Sequence, residues 1–239
     1  MWRWLARGLL ALCLVLGVSA FSMVGPQQAL WPTLNGWSRL GGTVYTDDPA
    51  RRDDLLALMR RANNEVAAFF GPLQSSPRVI LCTKESCVRK LIRGNPAPRG
   101  LTYGAQLMII APDGINQTIL THERAHAELH HMMKLSDLWD QRIPAWFDEG
   151  LATWLSGDER VTPPTPEDRA RIERTVSFRE WGPAVRDMTW QRAYGAADAL
   201  VREMADAKGP KALRDLIRRV DQSEDFDSLR AELLTPVDN

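Results

Sequence analysis

Residues 107–126 read LMIIAPDGINQTILTHERAH, and their interpretation decides the fold. Leu107 to Ile110 is a compact apolar run of strand length, and Leu101 to Tyr103 before it makes a second. Together they predict a hairpin. Asp113-Gly114 breaks the run, and a helix is expected from about Asn116 to Lys134. That helix would carry His122-Glu123-Arg124-Ala125-His126, an H-E-x-x-H pattern. Residues four apart lie one above the other on a helix, so both imidazoles can reach one ion. Glu123 is turned about a quarter of the way round from His122 and can reach a water held by that ion.

Working outward, Asp47-Asp48-Pro49 signals a helix start. Leu55, Leu56, Met59, Ala62, Val66 and Phe69 then recur at helical spacing up to Gly71. Arg78 to Cys82 reads as a strand, Ser86 to Ile92 as a short helix and Gly94 to Pro98 as a turn. Beyond the histidines, Pro144 opens a helix that Gly157 closes. Residues 158–169 read as a Pro-rich loop, followed by helices near 166–174, 190–207, 210–220 and 226–234. Strands before the motif and helices after it predict an α+β chain with a small N-terminal sheet and a mostly helical C-terminal part.

Lys plus Arg and Asp plus Glu both number 30, so the charge balance gives no footprint for nucleic acid or an anionic surface. A hydrophobic content of 44% and a charged content of 25% describe an ordinary globular domain. Arg3 and Arg7 precede an apolar stretch from Gly8 to about Val24, with small residues at Val18-Ser19-Ala20. Residues 1–24 therefore read as a signal peptide or membrane anchor, 25–46 as a spacer ending in a short strand near Thr43 to Tyr45, and 47–239 as the functional domain. Either N-terminal reading exports the rest of the chain, to a periplasmic or extracellular location. In that compartment Cys82 and Cys87, five apart, are expected to form a disulfide.

A catalytic zinc needs three protein ligands and an open position. All four histidines fall between 122 and 131. His130 is two turns from His122, about 12 Å along the axis, too far to share an ion with it. His130 and His131 are expected to be surface or packing side chains. The stronger third candidate lies in Pro144-Ala145-Trp146-Phe147-Asp148-Glu149-Gly150-Leu151-Ala152. H-E-x-x-H followed by W-F-x-E-G-L-A resembles the gluzincin metallopeptidases, over about residues 115–155.

The resemblance implies a zincin-like fold and one zinc held by His122, His126 and Glu149, with Glu123 as general base. It also places Tyr194, in Ala193-Tyr194-Gly195-Ala196-Ala197, as an oxyanion donor, and a peptide or protein substrate along Leu107 to Ile110. The aminopeptidase signature G-A-M-E-N is absent, so no preference for free N-termini is implied. The expected activity is amide hydrolysis outside the cytoplasm. Water activation does not name its substrate, so a zinc amidase acting on a non-peptide or cell-wall bond stays open beside the peptidase. So does a silent metal-binding assembly factor, although an intact Glu123 speaks against it.

Overall fold

A computed structural model describes residues 26–92, 98–133 and 142–235. The expected export segment at 1–24, most of the turn at 94–98 and the expected helix end at Lys134 lie outside them. Among the described residues no helix is long and apolar enough to cross a membrane.

The chain is α+β. Five strands, β1 (Ser38–Gly41), β2 (Val44–Thr46), β3 (Arg78–Leu81), β4 (Gly100–Tyr103) and β5 (Leu107–Ile110), form one mixed sheet in the order β1-β2-β3-β5-β4. The inner pairs β2–β3 and β3–β5 are parallel, and the outer pairs β1–β2 and β4–β5 are antiparallel. Val79, Ile80 and Leu81 are all buried, as the unbroken apolar run of a strand covered on both faces requires.

Helices α1 (Arg52–Phe70) and α3 (Gln117–His131) cover one face of the sheet. Leu55, Met59, Leu120 and Ala127 pack there against Leu81, Met108 and Ile110. The other face takes α2 (Glu85–Leu91) and the 3-10 turns that precede β1, with Trp37, Val88, Leu91, Ile80 and Ile109 in one cluster. Cys82 and Cys87 are joined by a disulfide with Cα atoms 5.4 Å apart, so the end of β3 is tied to α2.

The segment expected as a spacer thus takes part in the fold. It supplies β1 as well as β2, and Trp37 and Leu40 are buried. Its short strands, joined through Gly42 at φ +51°, carry too few residues to show a period.

The remaining helices follow in succession: the first packs on α3, the long fourth packs on the first, and the others pack on that long helix. They are α4 (Ala145–Ser156), α5 (Pro166–Glu173), α6 (Phe178–Met188), α7 (Trp190–Asp221) and α8 (Phe226–Leu234). Helix α7 is two helices joined at Gly209, whose φ of 82° and ψ of 165° break the helical path ahead of Pro210, close to the expected boundary. Helix α6 was not expected from the sequence. Gly182-Pro183 inside it reads as a breaker, yet the Ser177 and Glu180 capping box starts it, and its apolar face buries Trp181, Ala184 and Met188.

Candidate metal centre

Asn116 starts α3 by accepting a hydrogen bond from the Ile119 amide at 3.0 Å, and this sets the rotational phase of the helix. His122 and His126 then point from one stripe toward α4, which runs from Pro144 to its left-handed cap at Gly157. Glu149 stands opposite them. His122 Nε2 and His126 Nε2 lie 3.0 Å apart, and each is 3.5 Å from Glu149 Oε2. All three side chains are buried.

Ligand atoms sharing one tetrahedral zinc at 2.0–2.1 Å stand about 3.3 Å apart. The observed triangle has that size. Glu149 Oε2 is buried and has no hydrogen-bond partner among the described residues. A buried orphaned carboxylate oxygen is costly unless a cation meets it. The donor set and its spacing therefore fit a zinc-sized ion.

Asp148 tightens the arrangement. Its Oδ1 lies 2.6 Å from His126 Nδ1 and its Oδ2 2.7 Å from His130 Nε2. With Nδ1–H donated to Asp148, His126 keeps the Nε2 lone pair for the shared point. His126, His130 and Asp148 form a second cluster of possible metal ligands. Their contacts are direct hydrogen-bond distances, too short to hold an ion between them. His130, expected as a surface or packing residue, is instead a partner of Asp148.

The electrostatics run the same way. Burial would raise the Glu149 carboxyl, but contacts with His122 and His126 hold it down at about 2. Burial likewise opposes ionisation of Asp148, and His130 and His126 keep it well below the usual carboxylate range. His126 is driven down by burial, yet Asp148 and Glu149 more than offset this and raise it well above an ordinary histidine. The cluster draws positive charge inward. A divalent cation supplies that charge more compactly than protons on the imidazoles.

Glu123 faces a different neighbour. Thr102 Oγ1, on β4, donates to Glu123 Oε2 at 2.6 Å. Gly100 supplies the space: a Cβ there would lie 2.5 Å from Glu123 Oε1. The edge strand thus seats the carboxylate beside the histidines. Strand β5, expected to lie along the substrate, is paired on both sides by β3 and β4. Its backbone groups are spent, and the free edge belongs to β4.

Tyr194 reaches the site from α7. Its ring centroid is 5.9 Å from that of His122 and 5.2 Å from that of Trp181. The close approach depends on small residues. A Cβ at Gly150 would lie 2.4 Å from the Ala197 carbonyl oxygen, and one at Gly195 would lie 2.1 Å from that of Thr162. Burial first, then the Glu149 and Glu123 carboxylates, push the Tyr194 hydroxyl well above the ordinary tyrosine range, so it keeps its proton.

A cavity of about 300 Å3 opens beside His122, Glu123 and Tyr194. A larger one, about 650 Å3, lies against Trp146, Phe226 and Arg230, and its lining holds no histidine or cysteine.

Comparison with known proteins adds little to this geometry. No family model matches the chain. No solved structure matches it at a significant level. The uncharacterized protein YhcO of Bacillus subtilis (strain 168) is 24% identical over 111 residues. That match covers 46% of this chain and 34% of the relative, so the chain aligns with about a third of that protein's length.

The geometry brings together every residue the sequence singled out: His122, His126, Glu149, Glu123 and Tyr194. Sequence reasoning missed Asp148, Thr102 and Gly100. Asp148 had a signal, an aspartate directly before Glu149, but its target depends on how α3 and α4 cross.

Proposed function

We propose that this chain is a zinc-dependent hydrolase of the gluzincin type, with a zincin-like fold, that cleaves amide bonds of peptides or proteins outside the cytoplasm. The observation that carries the reading is the buried triangle of His122 Nε2, His126 Nε2 and Glu149 Oε2, with sides of 3.0, 3.5 and 3.5 Å.

His122, His126 and Glu149 would hold the ion. Zinc bound there supplies a Lewis acid that polarises a carbonyl and lowers the pKa of water. Glu123, seated by Thr102, takes the proton of the attacking water and delivers it to the departing nitrogen. Tyr194, protonated and beside His122, donates a hydrogen bond to the oxyanion. Asp148 fixes the tautomer of His126. The free edge of β4 runs past Glu123 and offers main-chain partners to an extended substrate. The apolar stretch after Arg3 and Arg7 supports export, and the Cys82–Cys87 disulfide suits an oxidising compartment.

The test is elemental analysis of the purified chain together with digestion of a broad peptide library. One zinc per chain is expected, with hydrolysis in wild type and none in Glu123→Gln at unchanged zinc content. A Glu123→Gln chain that digests peptides as fast as wild type would falsify the catalytic reading.

A further inference from the structure

The cavity beside Glu123 is lined by two cationic side chains that the hydrolytic chemistry does not use. Arg160 is held firmly. Its Nε donates to Asp158 Oδ1 at 2.7 Å and its Nη2 to Asp158 Oδ2 at 2.6 Å, while its guanidinium carbon sits 5.4 Å from the centre of the Trp190 ring. Asp158 Oδ1 accepts the Arg160 amide as well, at 3.0 Å. The aspartate is therefore occupied by Arg160, and its side chain is only 9% exposed, against 35% for Arg160. Arg160 Nη1 has no hydrogen-bond partner among the described residues.

Arg99, at the same cavity and next to Gly100, is exposed. Its carbonyl accepts the Ala111 amide at 2.9 Å, but among the described residues its side chain makes no hydrogen bond or contact ion pair and acts on Asp158 only through its charge. Two guanidiniums share one aspartate at this end of the cavity, and Asp158 is paired with Arg160, which leaves Arg99 without an ion pair. Glu123, the other carboxylate of the lining, accepts from Thr102 at the far end of the cavity, and Glu149 belongs to the histidine triangle outside the lining. With Nε and Nη2 turned to Asp158, the Nη1 end of the Arg160 guanidinium, held in place by that carboxylate and the Trp190 ring, is the part left to meet a second carboxylate.

We propose that this cavity is a specificity subsite for a substrate carboxylate, bound by Arg99 and Arg160 beside the bond that is cleaved. The subsite rests on the hydrolase reading for its position relative to the chemistry. The carboxylate comes either from an acidic side chain flanking the bond or from the C-terminus of a short peptide.

Matched peptides separate these sources. One pair, blocked at both ends, carries Glu or Gln next to the cleaved bond; the other pair has a free or amidated C-terminus. In one pair kcat/KM is expected to favour the carboxylate about 10- to 100-fold, the span of a hydrogen bond to a charged group. Arg99→Gln and Arg160→Gln should each collapse that ratio toward one with zinc content intact. Arg99 is exposed, so its variant reads the interaction without a folding penalty.

Binding of the same peptides to zinc-loaded Glu123→Gln, followed by calorimetry, gives a second readout that needs no turnover. Tighter binding of a carboxylate peptide than of its amide, lost in the added Arg99→Gln change, supports the subsite even if wild type cleaves neither peptide; in that case the hydrolase reading fails alone. Equal handling of acid and amide in both pairs, or a preference that survives both arginine substitutions, overturns the subsite.

Discussion

Helix α3 carries two buried clusters of ionisable side chains, and they differ in whether their hydrogen bonds close. On the face toward α1, Arg124 donates to Asn63 Oδ1 at 2.9 Å, to Ser75 Oγ at 2.6 Å and to the Ser75 carbonyl at 3.0 Å, and it pairs with Glu128 at 3.1 Å. Glu128 in turn accepts the Gln74 and Ser75 amides and the Ser75 hydroxyl. Burial would raise the Glu128 carboxyl, but these contacts and Arg124 bring it below its ordinary range. This cluster is closed and clamps the 71–77 loop to the helix. On the face toward α4, the histidine triangle leaves Glu149 Oε2 without a partner and turns two imidazole nitrogens on one another. A closed network serves the fold; an open one at the same depth is completed by something from outside.

The sharpest way to break this contrast is to remove one residue from the open cluster. Glu149→Ala should drop zinc occupancy below about a tenth in elemental analysis while the chain stays folded, because two imidazoles alone hold the ion poorly. His131→Ala is the matched control and should stay fully loaded. Full occupancy in Glu149→Ala would end the ligand assignment.

Tyr194→Phe comes next. As oxyanion donor its loss should lower kcat by about 10²–10³ with zinc and fold intact. If Tyr194 only packs against Trp181 and His122, steady-state assays will find kcat nearly unchanged and thermal melts a small loss of stability.

Asp148→Asn probes the support of the open cluster. An asparagine can keep the shape but accepts through one oxygen only, so one histidine loses its anchor. Zinc affinity, measured by competition with a chromogenic chelator, should fall about 10- to 100-fold. An unchanged affinity would show that Asp148 does not orient His126.

The smallest functional effect belongs to the closed cluster. Glu128→Gln should cost about 1–3 kcal/mol in denaturant unfolding, because it breaks hydrogen bonds to a buried charge. Its zinc stoichiometry should match wild type. Loss of zinc from Glu128→Gln would mean that the two faces of α3 are not independent.

The open cluster of this contrast was legible in the sequence and the closed one was not, for physical reasons. The H-E-x-x-H spacing on an N-capped helix is local, so His122, His126 and Glu123 needed only the helical period. Glu149 needed a second helix, and Pro144 and Gly157 marked its ends. Asp148 could not be read, because adjacent helical residues diverge by about 100° and only the crossing of α3 and α4 decides what each one meets. The strand order was hidden too. Period and propensity mark Leu107 to Ile110 as buried, but not that β3 lies beside it, which removes it as a substrate edge. Arg124 and Glu128 sit within or next to the motif, yet their partners Asn63 and Ser75 are about fifty to sixty positions earlier.

Gly100 extends the consequence beyond this chain. A methyl group at that position would occupy the seat of the Glu123 carboxylate. In a chain of this architecture, H-E-x-x-H alone records that a glutamate is encoded, whereas a glycine on the neighbouring edge strand records that there is room for it to stand where this one does. Sequences that keep the motif but carry a bulkier residue there would have to park the glutamate elsewhere. Reading the two positions jointly tells whether a chain of this architecture can seat its glutamate as this one does.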